Sequence, residues 1–173
     1  MINPPYVIAN LIVGADGSTS KAGSSIGLST PADRKLFHQL RSQSAAIIIG
    51  GNTARREPYK KTSIPLYIIT HSNLRLQPKN QLAKQINRPP ASAMESIFTD
   101  FNDLPNSQLL VEAGPKLLQE LINLNLVQKL YLTVNLNETG ENRIDLNSLL
   151  SNFKLIQSEQ VEGCEFKVFQ LSK

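Results

Sequence analysis

Tryptophan is absent from this chain, and cysteine occurs once, at Cys164. A single thiol closes no intramolecular disulfide, so a reducing compartment is the simplest setting, and Cys164 reads as a packed thiol near the C-terminus rather than a nucleophile. There are two histidines, and neither His38 nor His71 has a second histidine or a cysteine at ligand spacing. That argues against a metal site. No apolar run approaches the length of a membrane span, and the opening Met1-Ile-Asn-Pro-Pro-Tyr has neither the basic region nor the apolar core of a signal peptide. The expectation is a soluble, cytoplasmic protein with no membrane partner. Aromatics make up 6% of the residues, and a net charge of +4 comes without a basic run. Nucleic-acid binding is therefore disfavoured, whereas a mild positive balance suits an anionic small molecule.

What is present is apolar sequence in short, well-punctuated runs. At 173 residues and 40% hydrophobic, the chain is long enough for one domain with a real core and short for two, so a single domain over 1–173 is expected. Tyr6-Val-Ile-Ala-Asn-Leu-Ile-Val13 and Ala45-Ala-Ile-Ile-Ile49 are nearly continuous apolar runs, the pattern of strands buried on both faces. Asn10 interrupts the first and needs hydrogen-bond partners, either within the protein or in a ligand at the strand end. Ser18 to Ser29 reads as a small-residue loop that can close over a site. Thr30-Pro-Ala-Asp33 opens a helix with a capping hydroxyl, a first-turn proline and an acidic residue at the positive end. Arg41 falls near that helix's C-terminus, where either the helix dipole or a bound anion accounts for it.

Two stretches carry the chemistry. The run Ala45–Ile49 passes into Gly50-Gly-Asn-Thr53 and then Arg55 and Arg56: backbone N–H groups and a hydroxyl suited to pyrophosphate, guanidinium suited to a further phosphate. Leu109-Leu-Val-Glu-Ala-Gly-Pro-Lys-Leu-Leu118 reads as strand, tight turn and helix, with Pro115 in the first turn and Gly114 a seat for phosphate at the helix N-terminus. Lys116 to Leu126 then forms a helical stripe, and Leu130–Leu136 alternates as a strand. No G-x-G-x-x-G follows the first strand, so the usual dinucleotide fingerprint is missing. Ile64–Thr70 is a third strand ending at His71-Ser-Asn. Leu76 to Pro105 reads as a surface connection with one short strand near Ser96 to Thr99, Asn135 to Asp145 as polar loop, and Phe153–Ile156 with Phe166–Leu171 as a closing antiparallel pair.

Taken in order, Asp16-Gly17, Ser29 to Arg41, Ile47-Ile-Ile-Gly-Gly-Asn-Thr-Ala-Arg55, Ser72-Asn-Leu-Arg-Leu76 and Val111-Glu-Ala-Gly-Pro115 followed by Asn125–Leu130 resemble the reductase domain of the bifunctional riboflavin-biosynthesis deaminase/reductase, a relative of dihydrofolate reductase. The resemblance implies a dihydrofolate-reductase-like three-layer α/β/α fold with a mixed, mostly parallel central sheet. It implies NADPH-dependent reduction of the ribosyl group of 5-amino-6-(5-phosphoribosylamino)uracil to ribityl, in a homodimer. Carried over by position, Thr53, Arg55, Glu57, Ser72, Gly114, Pro115, Lys116 and Leu117 would hold the cofactor. Asn10, Ser25, Arg41 and Glu112 would line the substrate pocket, with Arg41 on the ribose phosphate and Glu112 on the pyrimidine amino groups. Asp16 and Glu112 are the candidate proton donors. Other readings with this fold are a dihydrofolate reductase, another pterin or pyrimidine reductase, or a non-catalytic nucleotide-binding relative. The sequence departs from the family at Gly14-Ala15, Ser18, Glu57-Pro58 and Asn135–Gly140. A lone cysteine also leaves no P-C-x-x-C pair for a deaminase zinc site.

Overall fold

A computed structural model describes residues 4–172. The chain builds an eight-stranded sheet in the order β5-β4-β3-β6-β1-β7-β10-β9. Its parallel part comprises β1 (Tyr6–Gly14), β3 (Ala46–Gly50), β4 (Leu66–Ile69), β5 (Ala83–Ile86), β6 (Gln108–Val111) and β7 (Lys129–Asn135). The hairpin of β9 (Phe153–Val161) and β10 (Cys164–Leu171) adds antiparallel to β7 and closes one edge. The continuous apolar runs occupy the middle of the sheet because both of its faces are covered.

The covering helices divide the core into layers. On one face α3 (Pro90–Asp100) and α4 (Pro115–Asn123) place Met94, Ile97, Leu118, Leu121 and Ile122 against Val7, Ala9, Leu109, Val111 and Ile48. On the other face α1 (Pro31–Ser42) sets Leu40 against Ile8 and Leu110, and α2 (Gly51–Arg56) sets Ala54 against Ile47, Ile49 and Ile68. Successive strand residues point to opposite faces, so Ile47 and Ile48, or Ile8 and Ala9, serve different layers. The α1 start follows its sequence: Thr30 Oγ1 accepts from Asp33 N at 3.2 Å, and Pro31 occupies the first turn.

Three expectations are corrected. Residues 76–105 are not a bare surface connection with a strand at 96–99; they hold β5 and then α3, which contains Ser96 to Thr99. Pro90 starts that helix where its missing N–H costs nothing, and Ala93, Met94, Ile97 and Phe101 make a buried stripe at helical spacing. Ser18–Ser29 and Asn135–Asp145 are not independent loops: β2 (Ser18–Ser20) pairs antiparallel with β8 (Glu141–Arg143), Ser18 opposite Arg143 and Ser20 opposite Glu141. A short 3₁₀ turn over Ser25–Leu28 follows β2. The residues after Gly50 form helix α2 at once. Cys164 is buried, as expected, with its Sγ 3.6 Å from Thr30 Oγ1. Among the described residues, no helix is long and apolar enough to cross a membrane.

Candidate active site

The parallel strands end together along one rim of the sheet, where an open cleft of about 1280 Å³ lies. Ligands of open α/β sheets settle at such carboxyl ends. Four segments form it: Asn10 to Ile12 of β1, Gly50 to Thr53 after β3, Thr70 to Ser72 after β4, and Glu112 to Leu117 after β6. Helix α1 and the Ser24–Ser29 segment supply the opposite wall with Ser25, Ser29, Asp33, Phe37 and Arg41.

The two glycine turns meet. β3 and β6 are paired neighbours, Ile48 opposite Val111, so the turns that follow them lie side by side. Gly114 N donates to Thr53 Oγ1 at 3.1 Å, and a Cβ on Gly50 would stand 3.4 Å from Leu117 Cδ2. Thr53, on α2, thus caps the start of α4, where Gly114 has no side chain to do so. Pro115 lacks an N–H, and the first intrahelical bond of α4 comes from Leu118 N to Gly114 O at 3.1 Å. The Lys116 and Leu117 N–H groups therefore stand free of the helix ladder at its positive end, beside the Lys116 ammonium. Gly51 is pressed against Thr70: a Cβ there would fall 2.5 Å from Thr70 Oγ1. That hydroxyl accepts from Ser72 N at 3.0 Å, which fixes the turn carrying Ser72.

Arg41 and Glu112, expected in one pocket on different parts of a ligand, are bonded to each other. Arg41 Nε donates to Glu112 Oε1 and Nη2 to Oε2, both at 2.7 Å, while Tyr59 Oη donates to Glu112 Oε2 at 2.6 Å. The guanidinium carbon lies 4.1 Å from the centroid of the Phe37 ring and 5.2 Å from that of Tyr59. Burial opposes the Arg41 charge, but the Glu112 carboxylate outweighs it and raises the guanidinium pKa above its ordinary value. Burial first, and the Glu112 charge second, push the Tyr59 phenol well above its usual pKa. Two expectations are thereby corrected. Glu112, its side chain 3% exposed, has both oxygens engaged and is not a free acceptor for pyrimidine amino groups or a ready proton donor. Arg41 spends one edge of its fork on Glu112, leaving the Nη1 side as what it can offer an anion.

Asp16 is corrected as well. It does not line the cleft; it sits in the turn after β1. The Ser18 hydroxyl beside it, the Ser18 N–H on Oδ1 at 3.2 Å and the Arg143 Nε on Oδ2 at 2.7 Å hold its carboxyl at a pKa of about 2. A group so acidic is ionised at neutral pH and donates no proton.

The remaining predicted residues, Asn10, Ser25, Thr53, Arg55, Glu57, Ser72 and Gly114 to Leu117, all face the cleft. Glu57 and Ser25, expected on different ligands, are bonded to each other. Ser25 N and Oγ donate to Glu57 Oε1 at 2.8 and 3.0 Å, and Ser24 Oγ donates to Oε2 at 2.9 Å. Glu57 thus ties the 3₁₀ turn to the end of α2. Tyr59 was missed because one tyrosine between Pro58 and Lys60 carries no local signal. Only the fold brings it to Glu112.

A search of the curated proteins returns no match. The chain is similar in structure to a deaminase/5-amino-6-(5-phosphoribosylamino)uracil reductase of Thermotoga maritima, with 14% identity, a TM-score of 0.72, and coverage of 97% of this chain and 57% of that one. A pyrimidine reductase-like protein of Corynebacterium diphtheriae matches at 16% identity and TM-score 0.71, over 98% and 92% of the two chains. Dihydrofolate reductase of Enterococcus faecalis, complexed with NADP(H), matches at 14% identity and TM-score 0.70, over 97% of each chain. The chain thus spans little more than half the length of the Thermotoga protein. The fold is dihydrofolate-reductase-like, and the sequence model of the RibD C-terminal domain matches residues 5–162. The chain belongs to the RibD C-terminal domain family.

Proposed function

We propose that the protein is an NADPH-dependent pyrimidine reductase that reduces the ribosyl group of 5-amino-6-(5-phosphoribosylamino)uracil to ribityl. The observation that carries this reading is the contact between the two glycine turns, with Thr53 Oγ1 on Gly114 N at 3.1 Å. It makes one cradle from two strand ends, open to the cleft and bordered by Arg55, Arg56 and Lys116. That cradle fits a dinucleotide pyrophosphate: the Lys116 and Leu117 N–H groups and the Thr53 hydroxyl for the bridging phosphates, Arg55 for a further phosphate, and Ser72 toward the adenosine end. When bound there, the nicotinamide supplies the hydride, and the protein supplies position.

The substrate side binds an anion and a ring. Glu112 and Tyr59 hold the Arg41 guanidinium over the Phe37 ring, 4.1 Å from its centroid, so its Nη1 side meets the ribose phosphate in a fixed orientation. Glu112 acts here as a positioning residue. Ser25 enters through its bonds to Glu57, which keep the 3₁₀ turn over the cleft. Reduction delivers a hydride to the sugar C1 of the ring-opened, imine-like form and a proton to the attached nitrogen. With Asp16 ionised and outside the cleft and Glu112 saturated, solvent entering the open cleft supplies that proton. The exposed edge strand β9, with Leu155, Ile156 and Val161, supports the homodimer reading, and the cytoplasm suits a chain whose one thiol is free.

The test is oxidation of NADPH by the purified protein with 5-amino-6-(5-phosphoribosylamino)uracil, beside dihydrofolate. Turnover of the phosphoribosyl compound alone is the expected result. Turnover of dihydrofolate instead would move the protein to pterin reduction, and NADPH binding without oxidation by either would make it a non-catalytic relative.

A further inference from the structure

The paired strands β2 and β8, which sit apart from the main sheet, bring one cation to the cleft. The ends of β1 and β7 lie side by side, Gly14 opposite Asn135, and the chain leaving each of them runs into this polar arm. Its own side chains lock it: Glu141 Oε1 accepts from Ala22 N at 3.1 Å, Asn142 Nδ2 donates to Ser20 Oγ at 2.8 Å, and Ile144 N donates to Gly17 O at 3.0 Å. Arg143 lines the cleft, whereas Lys21, the neighbouring cation, turns to Glu138. The Arg143 side chain is 69% exposed. Its Nε donates to Asp16 Oδ2 at 2.7 Å, and its Nη groups make no hydrogen bond among the described residues. An ion pair so exposed adds little to stability. What it does is fix one edge of the guanidinium and leave the other for an anion. Asp16, held at a pKa of about 2 by the Ser18 hydroxyl first and Arg143 after it, keeps its charge for that task.

Helix α4 carries the chain from β6 to β7 across β1, and its start is flanked on two sides. On the β3 side, Thr53 Oγ1 meets Gly114 N. On the other, Ile144, the residue after Arg143, shares a small cavity with Pro115 and Lys116. Arg143 therefore stands on the arm side of the free Lys116 and Leu117 N–H groups, with Thr53 beyond them. Ser72 follows β4, further along the same rim, because the sheet order there runs β4-β3-β6-β1-β7. A dinucleotide with its adenosine end at Ser72 crosses Thr53 and the α4 start, and its nicotinamide half meets the arm.

We propose that Arg143 is a further cofactor-binding residue, its Nη groups closing on the nicotinamide-side phosphate from the arm, and that Asp16 is the positioning residue that orients it. The assignment rests on the dinucleotide reading of the cleft. It also gives Asp16, which lies outside the cleft and donates no proton, a part in the site through Arg143.

The experiment titrates NADPH and adenosine 2′,5′-bisphosphate, which lacks the nicotinamide-side phosphate, into the wild type and three variants by calorimetry. Arg143→Gln weakens NADPH about tenfold and leaves the bisphosphate unchanged, because only the whole dinucleotide reaches the arm. Asp16→Asn weakens NADPH about threefold and adds nothing in the Arg143→Gln background, a coupling that a merely structural aspartate does not give. Both single variants melt within a few degrees of the wild type. Equal NADPH affinity in the wild type and Arg143→Gln, or an equal loss for both ligands, would overturn the Arg143 assignment while leaving the cofactor reading in place. Additive losses in the double variant would overturn the role of Asp16. A wild type that binds neither ligand would remove the cofactor reading and Arg143 with it.

Discussion

Tyr59, Glu112 and Arg41 show how much a site can depend on one buried carboxylate. Removing Arg41 strands the Glu112 charge, and breaking such a pair costs about 3 kcal/mol. Arg41→Ala is therefore expected to lower the urea midpoint, and Arg41→Met combined with Glu112→Leu to recover most of the loss. Additive losses in the double variant would show that the two side chains are not coupled. Tyr59→Phe takes one of three donors from Glu112, at a cost of about 1–2 kcal/mol at neutral pH. The same residue sets an alkaline limit. Its folded pKa lies above the unfolded value, so its contribution is intact below about pH 10 and declines as pH rises beyond that toward the folded pKa. The stability of the wild type should fall with pH in that range, and that of Tyr59→Phe should fall less steeply. Parallel slopes would remove the buried phenol from the explanation.

At the scale of elements, legibility followed burial. The strands β1, β3 and β6 were readable because both faces are covered, which forces continuous apolar sequence. β5 was not, because Ala83-Lys-Gln-Ile86 is a half-buried edge strand whose side chains need little apolar character. β2 and β8 carry polar residues and pair across a large sequence separation, so neither has a local signal. The same reason hid the bonds of Ser24 and Ser25 to Glu57, although Ser25 and Glu57 were each expected at the site from the resemblance to the family. Those bonds make the Ser24–Ser29 segment a tethered element. Glu57→Ala should speed proteolysis within residues 18–29 several-fold without lowering the global melting temperature by more than a few degrees, because local opening there is separate from core unfolding. An unchanged cleavage rate would show that the tether contributes nothing to the loop's order. The Thr30-to-Asp33 helix start was legible because its capping hydroxyl, proline and acid are all local.

For the whole molecule, the parallel sheet collects its loops at one rim, and the hairpin β9–β10 leaves Leu155 and Ile156 in solvent on the far edge. If that edge joins two copies, sedimentation should give a dimer and Ile156→Glu a monomer. A wild-type monomer would confine function to one chain. The central claim, however, is that strand ends at residues 50 and 114 jointly seat a dinucleotide. Gly114 has φ −63° and ψ 170°, an extended conformation that suits a residue before proline, and a Cβ there would lie 3.5 Å from Thr53 Oγ1. Valine at this position folds, but its methyl groups fill the cradle. The direct measurement is fluorescence titration of NADPH into the wild type and Gly114→Val, with circular dichroism to confirm equal folding. Saturable binding by the wild type and a loss of about thirtyfold or more in the variant are expected, corresponding to roughly 2 kcal/mol. Equal affinities in two folded proteins would contradict the seat and, with it, the reductase reading.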